Sequence, residues 1–144
     1  MLLESMVGNL KIFQDNPKGT YRGIRREFFP LWNGWEMLEQ GRSIQEIDTA
    51  VEEFYINFYY YHLKLDLLEN QNIAYILLNF ATLHGKKKCL QKLQKVSGGI
   101  DKFNALGKAG EYQLIIEILD FYEYIRSTDT KWVFDAYSKL LITN

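Results

Sequence analysis

From Ser43 onward, apolar residues return every three or four positions, punctuated by residues that cap or break helices, and this rhythm restricts the chain to a mainly helical fold. Ser43 and Glu46 form a capping box, in which each side chain satisfies an orphan amide of the first turn. Ile44, Ile47, Val51, Phe54, Tyr55, Phe58 and Tyr59 then follow at helical spacing, predicting one amphipathic helix that runs to about Leu65. Asn70-Gln71-Asn72 breaks and recaps the chain. Ile73, Ile76, Leu77 and Phe80 give the next stripe, ending near His84-Gly85. Cys89, Leu90, Leu93 and Val96 mark a further helix, stopped at Ser97-Gly98-Gly99. A looser stretch holds Ile100, Phe103, Leu106 and Gly110. Leu114, Ile115, Ile118, Leu119, Tyr122 and Ile125 line a helix over 111–125, and Trp132, Val133, Ala136, Tyr137 and Leu140 form a last one after Ser127-Thr128-Asp129.

The first forty residues lack that period. Gln14-Asp15-Asn16-Pro17-Lys18-Gly19-Thr20 is a run of turn formers, because Pro presets φ and Gly accepts positive φ. Residues 24–35 hold Phe28, Phe29, Leu31, Trp32 and Trp35, and read either as a short helix interrupted near Pro30 or as a buried loop. The expected fold class is mainly α, with an irregular N-terminal loop region that has room for a short hairpin.

At 144 residues the chain is expected to form one domain over 1–144, burying roughly two thirds of its unfolded surface. Seventeen basic side chains against eighteen acidic ones argue against a dedicated nucleic-acid binder. Cys89 stands alone, which excludes an intrachain disulfide and a multi-thiolate zinc site. His62 and His84 fall on different expected helices with no third ligand nearby, so no metal is expected. No phosphate-binding loop, dinucleotide fingerprint or Ser/His/Asp spacing occurs, and no cofactor is expected. The apolar run around 73–80 is far too short to cross a bilayer. Met1-Leu2-Leu3-Glu4 lacks the basic start of a signal peptide.

Few residues carry candidate chemistry. Glu4 precedes the polar loop; its ordinary reading is a solvated surface group, and its functional reading is an acid that protonates a leaving oxygen once burial raises its pKa. Asp15 and Thr20 flank the turn, either as local backbone caps or as a second carboxylate with a polar orienting group. Glycoside hydrolysis commonly uses two such carboxylates. The run from Phe54 to Tyr61 is denser in rings than one helix stripe requires. Its rings suit sugar faces and subunit interfaces equally well. Lys86-Lys87-Lys88, with Lys92 and Lys95, reads as a solvated helix face or as a contact for an anionic partner.

The segment DNPKGTYRGI, from Asp15 to Ile24, keeps Asp15, Thr20, Gly23 and Ile24 at the positions of an Asp-Pro-Gly-Gly-x-Thr-x-x-Gly-Ile loop. Tyr55 and Tyr59 fall on a Tyr-x-x-x-Tyr-Trp pattern, with Tyr60 in place of Trp. LLNFATLHGKKKCLQKLQ echoes a Leu-Phe-Asp…Asn-x-Gly…Ala…Leu-Gln stretch, with Asn79 at the Asp position and His84 near the Asn position. DFYEYI and Trp132 complete the series. Together these features resemble the glycoside hydrolase family 108 N-acetylmuramidases, phage-lysozyme-like domains once called secretion activators. Glu4 is the only candidate for that family's Glu-Gly-Gly acid, although Ser5-Met6 follows it here.

The resemblance implies a divergent member with a lysozyme-like helical fold, hydrolysing the β-1,4 bond between N-acetylmuramic acid and N-acetylglucosamine in peptidoglycan. It implies catalytic roles for Glu4, Asp15 and Thr20, and substrate binding by Tyr21, Tyr55, Tyr59, Tyr60, Asn79 and His84. The expected partners are peptidoglycan glycan strands. Such a chain would be made in the bacterial cytoplasm and act at the cell wall after release, or as part of a phage particle. The alternative is a catalytically inactive relative that binds glycan or serves an assembly, with its aromatic surface meeting a second copy or phage structural proteins.

Overall fold

A computed structural model describes residues 3–8, 10, 15, 19–125, 127 and 130–143, the side chains of 3–5, 137 and 139–143 excepted. Its N-terminal part is α1 (Leu3–Gly8) followed by an antiparallel hairpin of β1 (Thr20–Tyr21) and β2 (Ile24–Arg25). Tyr21 stands opposite Ile24 and Thr20 opposite Arg25. Arg22 and Gly23 make the two-residue turn, with φ of 49° and 81°. Two positive φ values in a row are what a type I′ hairpin demands, because that twist matches the flanking strands. Gly23 meets the demand freely, whereas Arg22 does so at a cost of about 1 kcal/mol. The segment 24–35 is thus neither one helix nor a buried loop. It leaves β2 through turns that expose Phe28 and Leu31, bury Trp35, and enter α2 (Gly34–Glu39).

The Ser43 box opens α3 (Ile44–Tyr55): Ser43 Oγ accepts the Glu46 amide at 3.2 Å. The helix does not continue in α form to Leu65. It widens into a π-helical segment, Ile56–Tyr61, then turns at 62–64 and closes with a single 3-10 turn, Leu65–Leu67. The cause lies in the crowded rings. In an α-helix, residues five apart point well away from each other; the i→i+5 pitch of a π segment returns them to one face. Tyr55 and Tyr60 are both buried as a result.

Asn70 caps α4 (Gln71–His84) by accepting the Asn72 amide at 3.0 Å. Ile73, Ala74, Ile76, Leu77, Leu78, Phe80 and Ala81 have no exposed surface, so α4 is covered on all sides rather than along one stripe. Against it pack α5 (Lys86–Ser97) and, at the end of the chain, α8 (Lys131–Thr143); between them in sequence, α6 (Ile100–Leu106) and α7 (Lys108–Tyr124) pack on α5. The stretch read as loose at 100–110 is mostly α6, held by Phe103 in the core between glycine breaks at Gly99 and Gly107. Leu93, Leu114, Ile118, Trp132 and Val133 close the core from these later helices. The described fold is mainly helical with a short hairpin in the irregular N-terminal region, in keeping with the expected class. Among the described residues no helix is long and apolar enough to cross a membrane.

Candidate active site

Three side chains, one from the preceding loop and two from α3, converge on the hairpin tip. The Arg22 amide donates to Asp15 Oδ1, its carbonyl accepts the Tyr55 hydroxyl at 2.6 Å, and its guanidinium pairs with Asp48 at 2.9 Å. Tyr55 and Asp48 sit seven residues apart on α3, so they share one helix face. Asp15 is exposed beside this brace. Burial first, then Tyr59 and the charge of Asp15, push the Tyr55 phenol above its ordinary range. Tyr55 therefore stays a neutral donor at any physiological pH.

Thr20 is buried in β1, and Tyr21 stacks on Trp32 with ring centroids 6.4 Å apart. Tyr59 stacks on Tyr55 at 5.9 Å, and burial raises its phenol as well. Asp15, Thr20, Tyr21, Tyr55 and Tyr59 thus gather where the hairpin meets α3. The other expected residues lie elsewhere. Tyr60 turns to the start of α4, where its hydroxyl donates to Gln71 Oε1 at 2.5 Å. Asn79 is fully enclosed inside α4. His84, at the end of α4, faces α7 and α8: its Nε2 lies 2.8 Å from the Tyr122 hydroxyl, which also accepts from Trp132 Nε1 at 3.2 Å. Burial first, then Lys88, hold the His84 imidazole below its usual range. The neutral ring so favoured is a fit acceptor for Tyr122.

Glu4 lies on α1, and its side chain is outside the described residues. Its helix packs on α3 and is anchored two residues later by Met6, which is 1% exposed. The backbone carrying Glu4 is therefore tied to the helix that carries Tyr55.

An aromatic wall beside the hairpin was not evident from spacing. Phe29 meets Phe54 and Phe58 edge-on at 4.8 and 4.9 Å, and Trp32 meets Trp35 at 5.0 Å. Trp35 Nε1 donates to the Phe29 carbonyl at 2.7 Å, so the loop and its rings hold one another. A cleft of about 390 Å³ opens between Trp32, Asn33, Glu53, Phe54, Asn57 and Phe58. A second, of about 270 Å³, lies among Thr20, Tyr21, Arg26, Trp35 and Glu39. Rings with carboxylates and amides at their edges suit a polyhydroxylated ligand with apolar faces. The legible signal for this wall was the aromatic density of 28–35, which has no period of its own.

Among the described residues no group of three or more His, Cys, Asp or Glu stands together to hold a metal ion. Cys89 is buried, and burial pushes its thiol up to about 12. The lysine run is not a uniform solvated face. Lys86 donates to the Phe58 carbonyl at 3.1 Å and sits 3.5 Å from the Phe58 ring centroid, and Lys88 and Lys92 lie over Phe121.

A predominantly helical frame with a short N-terminal hairpin propped against a tyrosine-bearing helix is consistent with a lysozyme-like helical fold. The profile of the glycosyl hydrolase 108 family matches residues 8–85, more than half of the chain, and the chain belongs to that family. Membership makes it a hydrolase of the glycan-acting kind. No curated protein and no solved structure matches the chain. The matched span contains the whole hairpin brace and α4, and it starts after Glu4.

Proposed function

We propose that the protein is a muramidase that cleaves the β-1,4 bond between N-acetylmuramic acid and N-acetylglucosamine in peptidoglycan. The observation that carries this reading is the brace at Arg22, which ties Asp15 to Tyr55 and Asp48 inside the segment that matches a glycoside hydrolase family. Hydrolysis of a glycosidic bond needs a proton for the departing oxygen and a carboxylate to activate water or to stabilise the cationic transition state. Glu4 supplies the proton, and Asp15, held by the Arg22 amide, supplies the second function, with Thr20 in β1 as the polar orienting group. Tyr21, Tyr59 and the wall of Trp32 and Phe54 receive the sugar faces, while Tyr55, buried and bonded to the Arg22 carbonyl, holds the hairpin behind them rather than stacking on sugar. The chain would meet the wall after release from a bacterial cell or as part of a phage particle.

A second reading is a non-catalytic relative that binds glycan or an assembly partner. It is favoured by the start of the family match at Gly8, which leaves Glu4 and its Ser5-Met6 successors outside the matched span. The deciding experiment is digestion of purified peptidoglycan by the wild-type protein and Glu4→Gln, with mass analysis of released fragments. The muramidase reading expects products ending in reducing N-acetylmuramic acid from the wild type alone. Equal activity in Glu4→Gln overturns Glu4 as the acid. No products from folded wild type across several walls and pH values leaves the non-catalytic reading standing.

A further inference from the structure

Away from the hairpin, a groove of about 970 Å³ runs between the turn at 62–64 and α5, and closes at Gly99 and Ile100. Its α5 wall is formed by Lys87, Leu90, Gln91, Gln94 and Lys95, a stripe at helical spacing. Eight residues separate its ends, about 12 Å at helical rise. The floor is apolar: Leu63 and Leu93 are buried, while Leu90 is 46% exposed. The rim is cationic. Lys64, Lys87 and Lys95 border the groove, and among the described residues no carboxylate lines it.

Two of those charges are unanswered among the described residues. Lys95 pairs with the buried Glu117 at 3.1 Å. Lys64 and Lys87 make no ion pair with a described residue. The placement of Lys87 adds to the imbalance. It follows Lys86 and precedes Lys88 in the first turn of α5, where the helix dipole favours anions, and the preceding Gly85 provides no side-chain cap. Lys64 holds a left-handed backbone, with φ of 59° and ψ of 33°, at the groove's lip. Strained non-glycine positions of this sort gather at ligand clamps.

We propose that this groove docks an acidic amphipathic helix from a partner protein. An open groove leaves one side of any occupant in water. A lone acyl chain would be half solvated there, whereas an amphipathic helix brings its own polar outer face. Apolar residues at i, i+3, i+4 and i+7 of the partner cover Leu90 and Ile100 above the buried floor of Leu63 and Leu93. Its flanking carboxylates meet Lys64 on one side and Lys87 on the other. A polyphosphate would gain the charges and waste the apolar floor. The groove shares no lining residue with either cleft beside the hairpin, so this surface is distinct from the candidate glycan site.

The test uses the whole chain, labelled with ¹⁵N, and two helix-forming peptides. Both carry leucines at i, i+3, i+4 and i+7; one is flanked by glutamates and its twin by lysines. The glutamate peptide is expected to shift the amides of Leu63, Lys64, 87–95 and Gly99, and its twin to leave them in place. Joint replacement Lys64→Gln and Lys87→Gln weakens the glutamate peptide about fivefold, the scale of two exposed ion pairs. Leu90→Asp, on an exposed side chain, abolishes the shifts while circular dichroism stays unchanged. Absence of shifts overturns the proposal, as does equal binding of the lysine twin or binding that ignores both variants. Dodecanoate shifting these amides where the glutamate peptide does not would replace the helix by a small amphiphile and overturn it too.

Discussion

Replacing Tyr55 by Phe isolates the bond on which the hairpin brace turns. The ring stays, so burial and the stack on Tyr59 are kept, and only the 2.6 Å bond to the Arg22 carbonyl is lost. A bond of this kind contributes about 1 kcal/mol net. For a chain of 144 residues that lowers the melting temperature by about 3 °C. The local effect is more telling. Arg22 holds its left-handed backbone at a cost of about 1 kcal/mol, offset by Asp15, Asp48 and Tyr55 acting together. Without Tyr55 the hairpin should open locally about fivefold more often, since about 1.4 kcal/mol is a factor of ten. Amide exchange reads this directly. Arg22, bonded to Asp15, and Arg26, bonded to the Gly19 carbonyl at 2.7 Å, should exchange about fivefold faster. Amides of α4 that exchange only through global unfolding should speed up by the same factor, because that route breaks the bond too. If the hairpin amides keep their rates while global stability falls, the bond belongs to the core and not to a brace, and the reasoning fails.

Other perturbations have equally definite outcomes. Gly34→Ala places a methyl 2.2 Å from the Trp32 indole, so the ring must move; about 1–3 kcal/mol should be lost in urea unfolding, with a shift in tryptophan fluorescence. Ser43→Ala removes the α3 cap and should cost about 1 kcal/mol by the same measurement. Cys89, with its buried thiol pushed up to about 12, should resist a thiol reagent at pH 8 in the native chain and react only in denaturant. The His84 imidazole is held low by burial and by Lys88, so below about 6.5 the unfolded chain takes up a proton that the folded one refuses. Stability should therefore fall as pH drops through about 6.5 and level off once folded His84 protonates, and His84→Gln should flatten that slope in urea midpoints taken from pH 8 to 5.

What the sequence disclosed was local. Ser43 with Glu46, and Asn70 before its apolar stripe, set helix starts through side-chain bonds that span two or three residues. Gly98 and Gly99 stopped α5 for the same local reason. What stayed hidden depends on partners distant in the chain. The π segment answers the packing demands of Tyr55 and Tyr60 together, which no 3.6-residue period foretells. Arg22 in a type I′ turn defies local preference, and Asp15, Asp48 and Tyr55 supply the compensation across 7 to 33 residues. Asn79 illustrates the converse. On a helix covered all round, a polar residue gives no sign of whether it points at solvent, at a ligand or into the core.

The family match ends at Gly85, where α4 ends, yet α4 cannot be covered by the matched residues alone. Its earlier half meets the π segment and the 3-10 turn, while α5 and α8 pack on its remaining surface. His84 is fastened to Tyr122 on α7, which Trp132 on α8 fastens in turn. Each fully buried Leu or Ile of α4 contributes about 2 kcal/mol only while that cover is in place. The rigidity reaching the hairpin therefore originates on the far side of the core. Helices α5, α7 and α8 fix α4, α4 fixes the π segment, and the π segment fixes the α3 face from which Tyr55 and Asp48 hold Arg22. A strained turn is tolerated at the candidate site because the helices beneath it cannot readily yield.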